Sequence, residues 1–252
     1  MEARSKSAIV TGGGQRIGAE IAKALGKQGW FVYLHCNSSI TAAKVILAEI
    51  ENQGGKGKLI SADLSSPSCG ENIINEIEAD APPVRLLINN AARFEFDDVS
   101  SITGDSLDEH FFVNVRGPVL LSKAFFELLE EGHKGCIINI LDNKVFSINP
   151  DFLSYTISKV ALHGATEAFA MGMAPRVRVN GIAPGITLES GGQGQASFEK
   201  GQKMSPIGKV SSVEDIIKAV FFILETESLN GHIITIDGGQ RLQKLDRDVA
   251  FV

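Results

Sequence analysis

Cysteine is scarce in this chain: three among 252 residues, at positions 36, 69 and 136. An odd number of thiols with no ligand-like spacing excludes a disulfide framework and a cysteine-rich metal site, and buried free thiols in a reduced, cytoplasmic protein are the plain expectation. Long apolar runs are missing too. The longest that matters, Ala219-Val-Phe-Phe-Ile-Leu224, falls far short of the ~20 residues that cross a bilayer. The first ten residues pass from polar side chains into Ala8-Ile-Val10 without the apolar stretch and small-residue cleavage site of a secretory signal. There is no basic excess: 24 Lys and Arg stand against 30 Asp and Glu, a formal charge of −6, which leaves no footprint for nucleic acid. The five histidines are dispersed, none at metal spacing with an acid, so no catalytic metal is expected.

What is present is a 44% hydrophobic, 21% charged composition with 26 glycines, that of a folded globular chain at the upper end of single-domain size. Short apolar runs alternate with amphipathic stretches. Strands are predicted at 8–10, 31–35, 57–60, 85–89, 136–141, 176–183 and 232–237. Helices are predicted at 16–27, 41–53, 153–171 and 213–224, with 106–129 read as two helices joined near Gly117-Pro118. Strands separated by crossover helices imply an α/β fold, a doubly wound parallel sheet in one domain spanning 1–252. Such sheets bind ligands beyond the carboxyl ends of their strands. A polar, glycine-rich stretch from 188 to 197 fits no element and follows a strand end. It reads as a lid, the centre of a substrate-binding loop around 187–206.

Thr11-Gly-Gly-Gly-Gln-Arg-Ile-Gly18 joins the first strand to the first helix. Glycines there let backbone N–H groups approach a phosphate, and the helix N-terminus favours negative charge. NAD-preferring sites place an acid at the end of the second strand, for the ribose hydroxyls. Here that run is Leu34-His-Cys-Asn-Ser-Ser39, without one. A carboxylate repels a 2′-phosphate, whereas hydroxyls and a nearby cation accept it. With Arg16 as the cation, NADPH is preferred. Further on, Tyr155 and Lys159 are four residues apart and share a helical face. An ammonium beside a phenol favours the phenolate, making the two a proton-transfer pair.

Thr11–Gly18, Asn89-Asn-Ala91, Asn114, Tyr155-x3-Lys159, Asn180-x3-Pro184-Gly185 and Asp237-Gly-Gly239 occur in that order along essentially the whole chain. Together they resemble the short-chain dehydrogenase/reductase family. The resemblance implies a homotetramer packed around the helices near Asn114 and Tyr155, and assigns Tyr155 as general acid. Lys159 would hold the nicotinamide ribose and depress the tyrosine pKa, while Asn114 would support a proton-relay water. The cofactor would be held by Gly12, Gly14, Arg16, Ile17, Asn37, Ser38, Ser39, Asp63 (at the adenine), Leu64, Asn90, Ala91, Pro184, Gly185 and Thr187, with Tyr155 and Lys159.

Three departures narrow the resemblance. The residue thirteen before the tyrosine, usually Ser, is Asp142; Asn-Asn-Ala-Gly becomes Asn89-Asn-Ala-Ala-Arg-Phe94; and the middle glycine of the phosphate turn is Arg16. All three resemble the pteridine reductases, including the dihydromonapterin reductase-like branch. There an Asp–Tyr–Lys set serves the ring and an aromatic residue sandwiches it against the nicotinamide. Ala92 and Ser38 depart from that branch, which often has Ser and Arg in their places. The substrate set implied is Arg16, Phe94, Asp142, Tyr155 and Leu188. A carboxylate repels the oxygen of a carbonyl receiving hydride, but accepts from an amino-pyrimidine edge and can help protonate a ring nitrogen. Two other functions are compatible with the sequence: a carbonyl reductase, for instance of 3-oxoacyl thioesters, in which Asp142 merely replaces serine, and a nucleotide-binding scaffold without turnover.

Overall fold

The computed structural model describes residues 6–188, 205–209, 211–243, 245–248 and 251. Most of the loop expected at 187–206, and with it the lid, therefore lies outside the described residues. Seven strands, β1 (Ser7–Val10), β2 (Phe31–Cys36), β3 (Lys56–Ser61), β4 (Val84–Asn89), β5 (Gly135–Ile140), β6 (Val177–Pro184) and β7 (Ile233–Ile236), form one sheet. Its order is β3-β2-β1-β4-β5-β6-β7, and every pairing is parallel.

Because successive side chains point to opposite faces, each central strand feeds two cores. Ala8 and Val10 of β1 face one side and Ile9 the other; Leu86 and Ile88 of β4 are likewise divided from Leu87. The first face is covered by α1 (Arg16–Lys27), α2 (Ile40–Asn52) and α7 (Val213–Glu225), through Ile21, Leu25, Ile50, Ile216 and Ile223. The second is covered by α3 (Cys69–Ile74), α5 (Gly117–Leu128) and α6 (Leu153–Gly172), through Ile73, Leu121, Phe125 and Ala170. Cys36, Cys69 and Cys136 are buried and unpaired, and burial pushes the Cys136 thiol up to about 11.

Three short elements were not legible in the sequence: α3, with too few residues to show a helical period, a 3-10 turn at Asn143–Val145 after β5, and another at Gln240–Leu242 after β7. The stretch read as two helices meeting near Gly117 begins with α4 (Gly104–Phe111) and continues through five residues of π-helix, Phe112–Arg116, into α5. The irregularity therefore falls on Asn114 rather than on the Gly-Pro pair. No helix among the described residues is long and apolar enough to cross a membrane.

Strand order reverses between β1 and β4, since β2 and β3 lie on one side of β1 and β4 to β7 on the other. Beyond the carboxyl ends of these strands, where such sheets open a crevice, lies a cavity of about 700 Å³.

Candidate active site

The cavity has a nucleotide half built from the β1–α1 turn. Gly12 is left-handed at φ +63, and a Cβ there would lie 2.9 Å from Ala91 Cα. At Gly18 a Cβ would come within 2.4 Å of the Gly12 carbonyl oxygen. The turn is pinned from β4: Asn90 Nδ2 donates to the Thr11 carbonyl at 2.9 Å, and the Asn90 and Ala91 N–H groups donate to Thr11 Oγ1 at 2.9 and 3.0 Å. Arg16 occupies its glycine-favouring position at φ +54, a backbone state that costs a side-chain-bearing residue roughly 1–2 kcal/mol. Its guanidinium reaches across to the Leu188 carbonyl at 3.4 Å.

His35 carries no signal legible from the sequence alone. It is 1% exposed at the end of β2, where Nδ1 accepts from the Gly12 N–H at 3.3 Å and Nε2 meets the Ala62 carbonyl at 2.9 Å. A carbonyl can only accept and an N–H only donate, so the ring is neutral with its proton on Nε2. Burial lowers its pKa and supports that state. His35 thus ties the glycine turn to the β3–α3 connection that carries Asp63. Asp63 lines the cavity with its carboxylate accepting from Ser65 N and Oγ, both at 2.8 Å.

In the other half, Tyr155 Oη donates to Asp142 Oδ2 at 2.9 Å, while Asp142 Oδ1 accepts from the Lys144 N–H at 2.9 Å. Lys159 Nζ donates to the Ile140 carbonyl at 2.8 Å and stands 5.6 Å from the Tyr155 ring centroid. The depressed tyrosine pKa expected from the Tyr155–Lys159 spacing is not found. Burial, and then the Asp142 charge, push the Tyr155 phenol well above its ordinary value, so the phenol keeps its proton. Burial also raises the Asp142 carboxyl and lowers the Lys159 ammonium to about 8. Phe94 stacks one face on Phe152, centroids 4.4 Å apart at 16°, and meets Tyr155 edge-on at 4.6 Å. It remains 38% exposed and lines the cavity.

Of the residues singled out in the sequence, the cavity wall holds Gly12, Arg16, Ile17, Asn37, Ser38, Ser39, Asp63, Leu64, Asn90, Ala91, Phe94, Asp142, Tyr155, Lys159, Pro184, Gly185, Thr187 and Leu188. Two of the expected cofactor and catalytic residues stand outside it. Gly14 packs against α2, where a Cβ would lie 3.0 Å from Ala43 Cβ. The Asn114 side chain is fully buried behind the wall, accepting from Arg93 N at 2.7 Å and donating to Arg93 O and Ser158 Oγ, both at 2.9 Å. From the C-terminal strap, the described residues Arg247, Asp248 and Phe251, Asp248 joins the wall.

These residues fit a dinucleotide phosphate. The glycine cradle excludes side chains where a pyrophosphate needs backbone N–H groups. The end of β2 offers Asn37, Ser38 and Ser39 with Arg16 nearby and no carboxylate.

A family model described as short chain dehydrogenase matches residues 6–199. Among solved structures, the alternative dihydrofolate reductase 1 (FolM) of Brucella canis, complexed with NADP, superposes with a TM-score of 0.91 at 36% identity, covering 95% of each chain. The angucycline C-6 ketoreductase LanV, with bound NADP, gives 0.87 at 27% identity, covering 94% of this chain and 96% of that one. An uncharacterized oxidoreductase of Methylorubrum extorquens is 31% identical over 244 residues, 94% of this chain and 98% of its own.

Proposed function

The chain belongs to the short-chain dehydrogenase family and is an NADP-dependent oxidoreductase, and from that premise we propose that it reduces the C=N bond of a pteridine ring. The observation that carries this reading is the 2.9 Å hydrogen bond from Tyr155 to Asp142. A carboxylate stands beside the phenol, as an acceptor with no proton of its own to give while ionised.

Bound in the cleft, NADPH supplies the hydride. Gly12, Arg16, Asn37, Ser38 and Ser39 would bind its phosphates, and Lys159 would hold a ribose hydroxyl. Tyr155 keeps its proton on Oη in this buried setting and hands it to a ring nitrogen as charge develops there. Asp142 orients the phenol and accepts from N–H groups of the substrate. Its raised pKa suits it to taking up a proton for the next turnover. Phe94 offers a flat apolar surface for a bicyclic ring. The likeness to an alternative dihydrofolate reductase supports the same substrate class.

The likeness to a ketoreductase favours a second reading, carbonyl reduction, and Asp142 separates the two. Asp142→Ala is expected to lower kcat/KM for dihydrobiopterin or dihydromonapterin by about 10²–10⁴-fold, the range of a positioned acid–base group. Asp142→Ser is expected to leave ketone turnover absent. A nicotinamide-oxidation assay with pterins and ketones, NADPH and NADH, checks both. Ketone turnover improved by Asp142→Ser, with no pterin turnover by the parent, sinks the proposal.

A further inference from the structure

Asp248 stands at the substrate end of the cavity with no part in the function described so far. It is 8% exposed and lines the same wall as Asp142 and Tyr155. Three kinds of contact bring it there. Its N–H donates to Asp151 Oδ2 at 2.7 Å, and Arg247 Nε bonds both oxygens of that buried carboxylate at 3.0 and 2.9 Å. The Phe251 ring packs on Phe152 at 5.9 Å and on Phe96 at 5.2 Å. Finally, Asp248 Oδ2 pairs with Lys144 Nζ at 2.6 Å.

Lys144 links the two carboxylates of the cavity. It is 5% exposed, gives its backbone N–H to Asp142 and its ammonium to Asp248, and is held from behind by Asn149 Oδ1 at 2.8 Å. Residues far apart in sequence thus converge on two adjacent acceptors. Beside its Lys144 pair Asp248 lines the cavity wall, and a carboxylate accepts at about four lone-pair sites. An N–H donor meeting it in a nearly dry pocket gains a charge-assisted hydrogen bond, whereas a carbonyl oxygen in that place is repelled.

We infer that Asp248, carried to the cavity by the C-terminal strap, is a specificity-determining residue, a second acceptor for the N–H edge of an amino-substituted heteroaromatic substrate. This deepens and rests on the pteridine reading. Phe94 and Asp142 account for stacking and for the reacting end, and Asp248 for the selection of a donor-rich ring over a plain ketone.

The test compares the parent with Asp248→Asn and with Asp151→Asn, a full-length variant that loosens the strap through a residue that is not itself on the cavity wall. The measurements are KM and kcat for a dihydropteridine, inhibition by 2,4-diaminopyrimidine, and NADPH affinity by cofactor fluorescence. Both variants are expected to raise the pteridine KM about tenfold and to weaken 2,4-diaminopyrimidine inhibition by a similar factor, with NADPH affinity unchanged. Unchanged KM and inhibition in both variants overturn the inference, as does an equal loss of NADPH affinity, the mark of a purely structural role. If the parent turns over no pteridine, the proposed function fails, yet 2,4-diaminopyrimidine inhibition of whichever carbonyl substrate is turned over still decides Asp248. Weaker inhibition in the variants supports its role and unchanged inhibition overturns it.

Discussion

Lys159 is held almost without water, and its ammonium pays for that with a pKa lowered to about 8. Below that value it is charged and able to hold a ribose hydroxyl and offset the negative Asp142. Above it the charge is lost. The expected outcome is a kcat/KM that falls as pH rises through about 8, with the limb displaced upward in Lys159→Arg, whose guanidinium stays protonated; a pH–rate profile of both checks it. For stability the sign is opposite. A lysine whose folded pKa is depressed binds fewer protons folded than unfolded between about 8 and its ordinary value, so its unfavourable contribution fades over that window. Arg16, the cation in a strained turn, carries a separate prediction. Arg16→Gly relieves the positive φ while removing a charged donor. It is expected to raise the Tm slightly yet weaken NADPH, and not NADH, by roughly 10–100-fold, the range of one to two charge-assisted bonds, as cofactor titration would read.

Tyr155 is positioned by the start of α6, and a carboxylate from outside the helix governs that start. Asp97 accepts from Ser154 N at 2.9 Å and from the Ser154 hydroxyl, while Ser106 Oγ of α4 donates to it at 3.0 Å. The Leu153 N–H reaches the Asp97 carbonyl at 3.1 Å. A negative charge here satisfies first-turn donors and suits the helix dipole. Burial pushes the Asp97 carboxyl up, but the bonds from Ser154 and Ser106 outweigh it and hold the pKa below the ordinary value. A carboxylate shifted this way stabilises the fold above its unfolded pKa of about 3.9, and the benefit is lost as pH falls through the folded value. Asp97→Ala is therefore expected to cost roughly 1–3 kcal/mol near neutral pH and to flatten the acid limb of the stability curve, as denaturant melts at several pH values would measure. The π-helical turn at Phe112–Arg116 has a comparable place on α4 and α5. It directs Asn114 onto the Arg93 backbone and Ser158, joining the loop after β4 to α6.

At the scale of the whole molecule, the cavity is a gap between elements that a ligand closes. The ends of β2, β5 and β6, the Arg16 turn, the loops after β4 and β6, and Asp248 all contribute walls. A ligand that binds only the folded state stabilises it by about 2.7 kcal/mol at a hundred times its Kd. For a chain this long that corresponds to a Tm rise of roughly 5–10 °C. NADPH is expected to give such a shift and NADH at the same concentration a smaller one, read by thermal denaturation. A homotetramer packed around the helices near Asn114 and Tyr155 is expected from the resemblance alone, and Phe111 of α4 with Ile157 and Val160 of α6 are exposed there, at 41%, 42% and 38%. Light scattering giving about four times the 27.0 kDa chain mass checks it.

The alternation of apolar strands with amphipathic helices determined the doubly wound sheet, because strand burial on both faces and helix burial on one leave different periods in the sequence. The glycines of 12 to 18 and the four-residue spacing of Tyr155 and Lys159 were legible for the same reason, as each acts over a few residues of local geometry. Only the tertiary structure decided the direction of the Tyr155 shift, since burial and the Asp142 charge push the phenol up and neither is a matter of spacing. It also decided that Asn114 and Gly14 stand off the cavity wall, that His35 ties the glycine turn to the β3–α3 connection, and that Asp248 returns from the far end of the chain. Such contacts join residues up to about a hundred positions apart, as in the 97-residue separation of Asp151 and Asp248. Their free energy comes from desolvation and hydrogen-bond geometry that exist only once the elements have packed.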